Sequence, residues 1–178
     1  MTVRYIVDTG VFVRCGGPDN EKFRQLRRVV QRAGVTLTVP VRVFEELGGN
    51  VAAEYPSADM PYATGFEEGW VTVADGLDYT NATVSTIMDE ARGYIADETD
   101  RPEDVVEKTD TALIGLATQY LDAGDATSVV LLTTDKPAGH AAGTLLPKHG
   151  FKGQIEYWYA SEDFLDRVTA DDFDIASV

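Results

Sequence analysis

Apolar positions along the chain alternate between short continuous runs and stripes repeating at three and four residues, and this alternation predicts strands separated by helices. Residues 4 to 8, Arg-Tyr-Ile-Val-Asp, make a short apolar run closed by an acid. That pattern suits a buried parallel strand whose carboxyl end delivers Asp8 into a turn at Thr9-Gly10. From Asn20, the spacing Phe23, Leu26, Val29, Val30, Ala33 gives a helical stripe that Gly34 closes, followed by a strand over 35 to 39. Pro40 opens a second helix, with Val41, Phe44, Leu47 and Val51 extending it over 41 to 54. Residues 55 to 69, with Pro56, Pro61, Gly65 and Gly69, carry no clear period and precede a short strand at Trp70 to Ala74.

A helix is predicted over 81 to 97 with Thr80 and Asn81 as capping candidates, then an acidic loop at Asp100 to Asp104. The segment 107 to 123 places Ala112, Leu113, Leu116, Ala117 and Tyr120 on one side and should be substantially buried, with Asp110 in its first turn. Val129-Val130-Leu131-Leu132 has no alternation, as expected for a strand covered on both faces, and Thr133-Thr134-Asp135 sits at its end. The Gly- and His-containing stretch that follows reads as loop. A strand near 154 to 158 and a helix near 161 to 168 finish the pattern. The expectation is a three-layer α/β/α fold with a mostly parallel sheet, formed by one domain over 1–178 with a longer excursion at about 55–105. In such folds ligands collect beyond the carboxyl ends of the strands, where Asp8 and Asp135 both fall.

Charge changes the picture. Fifteen basic residues face 30 acidic ones, for a formal net charge of −15. Phosphate binding draws on Lys and Arg, so this balance opposes nucleic-acid binding in dilute buffer. In roughly 1 M salt the Debye length falls to about 3 Å and distant carboxylates no longer repel a phosphate chain, so a salt-accumulating halophile is the expected source. A single cysteine, Cys15, excludes an internal disulfide and a multi-cysteine zinc ribbon. No apolar stretch approaches the ~20 residues that span a bilayer, and the segment after Met1 lacks a signal pattern. A soluble, cytoplasmic protein is expected.

Four acids occupy related situations. Asp8 follows the first strand, Glu46 lies in a helix with apolar neighbours, Asp110 begins a buried helix, and Asp135 follows a central strand. Two unit charges about 4 Å apart cost roughly 4 kcal/mol at an effective dielectric near 20, so carboxylates gathered in one cleft call for a cation. Magnesium takes only one or two carboxylates with water and phosphate oxygens, which an all-acid open site supplies. A metal-held water can then attack phosphorus without a histidine base.

The fragments Ile-Val-Asp8-Thr, Val-Pro-Val-Arg-Val-Phe-Glu-Glu46-Leu, Thr-Asp110-Thr-Ala-Leu-Ile-Gly-Leu-Ala and Leu-Leu-Thr133-Thr-Asp135 resemble, in order, the acidic motifs of PIN domains. VapC-like toxin ribonucleases are the nearest subgroup, although the stretch between Glu46 and Asp110 is longer than in compact toxins. The resemblance implies an endoribonuclease dependent on Mg²⁺ or Mn²⁺, an RNA substrate, a homodimer and, for the toxin subgroup, an antitoxin protein. It implies Asp8 and Asp110 as direct ligands, Asp135 binding directly or through water, and Glu46 orienting water or a second ion. Thr9 or Thr133 would hydrogen-bond these carboxylates or a phosphate.

Other readings stay open. Asp8 and Asp135 could instead satisfy loop amides, Glu45 or Glu46 could be a solvated helix residue, and Asp110, like Glu107 one turn earlier, could simply be an acid favoured at a helix start. His140 and His149, without cysteine partners, make a poor zinc site. Arg14, Lys136 and Lys148 could touch phosphates, and Tyr157, Trp158 and Tyr159 could stack on bases, though pairing and packing suit them as well. A catalytically silent PIN-like module that binds RNA or a protein is the alternative function. A phosphatase is disfavoured because Asp8 is followed by Thr9-Gly10 and not by the Asp-x-Asp pattern. No Gly-rich phosphate loop or G-x-S-x-G elbow occurs.

Overall fold

The computed structural model describes residues 1–50, 62–160 and 175–177. Five parallel strands form one sheet: β1 (Val3–Val7), β2 (Leu37–Val39), β3 (Val71–Val73), β4 (Ser128–Thr133) and β5 (Ile155–Tyr159), in the order β3-β2-β1-β4-β5. β1 runs alongside β4 from Val3 opposite Ser128 to Val7 opposite Leu132, so the two strands end together. Tyr5, Ile6 and Val7 are buried, as are Val129 to Leu132, because helices cover both faces of the central strands.

The helices are α1 (Thr9–Cys15), α2 (Glu21–Ala33), α3 (Val41–Glu46), α4 (Ala63–Glu67), α5 (Ala82–Thr99), α6 (Lys108–Asp122) and α7 (Lys136–Lys148). They complete a three-layer α/β/α sandwich in which α5 packs on α6 and α7, and α1 packs on α2. From β1 the chain steps outward to β2 and β3, then crosses back over β1 to β4 before stepping the other way to β5. Right-handed crossovers in opposite directions put their helices on opposite faces and open a crevice at the reversal, beyond the carboxyl ends of β1 and β4. Asp8 and Asp135 are the residues that leave those ends.

Three local readings of the sequence need correction. The stretch after Asp8 is not only a turn: Asp8 caps a helix, α1, by accepting from the Val11 amide at 3.2 Å. The helix expected over 41 to 54 stops at Glu46, because Gly48 takes φ +94°, a left-handed conformation outside the helical range, and Gly49 folds onto the Phe44 ring. The stretch after Asp135 is not loop but α7, capped by Asp135 through the Ala138 amide at 3.1 Å. Within 55 to 105 the described residues hold α4, β3 and α5, and Asn81 caps α5. The helix expected near 161 to 168 lies outside the described residues.

Candidate active site

Each candidate acid is held by the element that its local sequence builds. Asp8 is only 5% exposed. Its Oδ2 accepts from the Thr133 hydroxyl at 2.6 Å and the Thr134 amide at 2.9 Å, while Oδ1 accepts from Val11. Thr133 itself accepts from the Asp135 amide at 3.0 Å, so one buried hydroxyl ties the acid after β1 to the acid after β4. Burial pushes the Asp8 carboxyl above its usual range, the three hydrogen bonds oppose this, and the charge of Asp135 adds to it.

Asp110 comes to the same place from α6. Its carboxyl is hydrogen-bonded to Asp135, and its pKa is pushed up to about 8. Burial is the main cause, followed by the Asp135 charge and hydrogen bond, then Glu107 and Asp8. Every charged group that perturbs Asp110 is acidic, so near neutral pH Asp110 keeps a proton that it donates to Asp135. Asp8, Asp110 and Asp135 thus form one electrostatic group at the β1/β4 crevice.

Glu46 stands beside this group. It is exposed, its Oε2 accepts from the Thr9 hydroxyl, and its Oε1 accepts from the Thr109 hydroxyl. Those threonines are the immediate neighbours of Asp8 and Asp110, so Glu46 is tethered to both acid-bearing helices without joining the other three carboxylates. Thr109 and the Thr134 amide are site groups that sequence reasoning passed over. The available signal was a threonine adjacent to every acid of the crevice: Asp8-Thr9, Thr109-Asp110 and Thr134-Asp135.

The remaining candidates divide by position. Arg14 and Lys136 both lie over the Tyr159 ring, 5.9 and 4.6 Å from its centroid, at the crevice end of the sheet. Lys148 is at the opposite end of α7, 3.8 Å from Glu90. His149 meets the same Glu90 at 2.8 Å, and His140 meets Glu98 at 2.5 Å, so both histidines fasten α7 to α5. Tyr157 packs edge-on against His140, and Cys15 is buried.

A family model described as the Halobacterial PIN domain matches residues 1–173. The chain belongs to the PIN-domain family. PIN domains are typically nucleases, and the halobacterial family accords with a chain carrying twice as many acidic as basic residues. Among curated proteins, none matches this PIN domain. No helix among the described residues is long and apolar enough to cross a membrane.

The donor set suits a hard divalent cation, being all carboxylate oxygen. Among the described residues, however, no three His, Cys, Asp or Glu side chains stand together as a ready ligand group. The hydrogen bonds explain this: Asp8 is turned toward Thr133, Thr134 and Val11, and Asp110 is turned onto Asp135. A ligand pair is enough for magnesium, which keeps most of its waters. The Asp110–Asp135 pair fits that need once its shared proton leaves.

Proposed function

We propose that this PIN domain is a metal-dependent endoribonuclease that hydrolyses RNA phosphodiester bonds. The observation carrying this reading is the acid group at the β1/β4 crevice, where burial, and after it the local excess of negative charge from Asp135, Glu107 and Asp8, pushes the Asp110 pKa up to about 8. A divalent cation is the partner that such an excess favours over a proton.

Asp110 and Asp135 would hold Mg²⁺ or Mn²⁺, with Asp8 adjoining them directly or through water. When bound, the ion supplies Lewis-acid stabilisation of a phosphate and a water of lowered pKa. The chain's own groups do the rest. Thr133 keeps Asp8 and the Asp135 backbone in register, as outer hydrogen bonds do for ligands generally. Asp110 gives up its proton on loading, and Glu46, fixed by two hydroxyls, orients a water at the edge of the crevice. Arg14 and Lys136 supply positive charge on the side of Tyr159.

The test is incubation of the purified chain with single-stranded RNA in molar KCl, with Mg²⁺, Mn²⁺ or a chelator. Internal cleavage with either metal, lost with the chelator and in folded Asp8→Asn and Asp110→Asn, is the expected result. Metal-supported cleavage that both variants retain would refute the assigned roles. The absence of a ready three-ligand group favours a second reading, a silent module that binds RNA or a protein partner. RNA binding without cleavage under every metal would select it. A toxin role with an antitoxin partner, and a homodimer, are carried by the resemblance to VapC-like proteins.

A further inference from the structure

A groove of about 320 Å³ is walled by α3, α6 and the loop Asp75–Tyr79 that follows β3, and its lining includes Glu45, the chain neighbour of Glu46, and Ala112, two residues beyond Asp110. Two helical faces lead into it. On α6, Thr109, Ala112 and Leu116 follow at three and four residues, so the face that holds Glu46 continues as the groove floor. On α3, Arg42, Glu45 and Glu46 share a face in the same way. The outer wall is fixed in place: Gln119 of α6 accepts from the Asp78 amide at 2.8 Å and donates to the Gly76 carbonyl at 3.3 Å. Tyr79, 61% exposed, stands at the mouth.

We propose that this groove is a nucleobase subsite, and that it takes guanine from the nucleotide beside the scissile phosphate. The inference rests on the ribonuclease reading above. The volume is at the low end of the roughly 300–1,000 Å³ typical of small-molecule sites, enough for a base and its sugar. The lining favours a base over a phosphate, since Glu45 and Asp75 outnumber Arg42 among apolar walls. Guanine presents adjacent N–H donors that a carboxylate accepts as a pair, beside a carbonyl that a guanidinium can donate to. Uracil offers one N–H between two carbonyls and suits two carboxylates poorly. A chain of net charge −15 attracts phosphate weakly, so affinity must come from stacking and hydrogen bonds, which salt screens least.

Metal-free binding of guanosine and uridine to the full chain, followed by NMR titration in molar KCl, tests this directly. Guanosine should bind saturably and about tenfold tighter than uridine. Tyr79→Ala removes the stacking ring, and Gly76→Phe fills the groove from a position where a Cβ meets open space. Each should weaken guanosine on the order of tenfold, while Asp75→Asn should narrow the guanosine-to-uridine ratio. Equal affinities, no saturable binding, or undiminished binding by a folded Gly76→Phe protein would overturn the subsite. So would a groove that takes no nucleoside yet loses self-association in the same variants. A chain that binds guanosine but cuts no RNA refutes hydrolysis alone. A chain that cuts RNA with unchanged site preference in Gly76→Phe refutes the subsite alone.

Discussion

Two carboxylate stations, far apart in the chain but linked through Thr109, sit in opposite surroundings. Glu46 lies in the open, its two carboxylate oxygens accepting from the Thr9 and Thr109 hydroxyls. Asp110 is partly buried among Asp135, Glu107 and Asp8 and keeps a proton to a pH of about 8. The residue types are alike and the surroundings decide. Acid content alone therefore does not mark a site in a chain with 30 acidic residues; burial combined with like charge does.

The largest effect should come from removing that like charge. Asp110→Asn and Asp8→Asn are each expected to lower RNA cleavage on the order of 10³-fold or more, measured by initial rates in molar KCl with Mn²⁺. A Glu46→Gln protein as inactive as these would erase the distinction between the stations.

Thr133→Val comes next. It leaves Asp8 without its hydroxyl donor in a buried setting and the Asp135 amide without its acceptor in a half-buried one. Metal affinity or cleavage should fall about 10- to 100-fold, with a loss of stability of about 1–3 kcal/mol. Thr133→Ser should restore most of both, a recovery that mere loss of packing would not give.

Stability against pH sharpens the contrast further. Burial and acidic neighbours raise the folded-state pKa of Asp110 from 3.8 to about 8. Within that window the folded protein binds more protons than the unfolded chain, so metal-free stability falls as pH rises from about 4 to about 8 and levels off above. Asp8, raised by burial, acts in the same direction. Asp110→Asn should therefore melt several degrees higher than the parent at pH 8 and by a smaller margin at pH 5. A margin independent of pH would contradict the shared proton.

Glu46→Gln should lower cleavage only about tenfold, because an amide keeps one oxygen for the threonines. The smallest effects belong to the α5–α7 fasteners. His140→Ala and His149→Ala should leave cleavage within about twofold, since their partners Glu98 and Glu90 lie outside the acid group.

Much of this was legible in the sequence. Apolar runs located β1 and β4, which are buried on both faces and carry the least ambiguous pattern, and the acids at their ends followed. α6 was equally plain, and Asp110 with it. α7 was missed because Pro137, Gly139, Gly143 and Pro147 read as breakers. Pro137 sits in the first turn, where its missing amide costs nothing, and a Cβ on Gly139 would fall 2.4 Å from the Tyr157 ring. Small residues there let the helix approach β5, a tertiary demand that no local pattern carries. Proton sharing between Asp110 and Asp135 was illegible for the same reason: it depends on two helix starts meeting across the crevice.

Calorimetric titration of Mn²⁺ into the intact protein at pH 7, repeated in buffers of different ionisation enthalpy, tests the central claim most directly. Binding should release close to one proton, and Asp110→Asn should abolish both the release and most of the affinity. Binding without proton release, or an Asp110→Asn protein that binds Mn²⁺ as tightly as the parent, would contradict a buried acid group awaiting a cation.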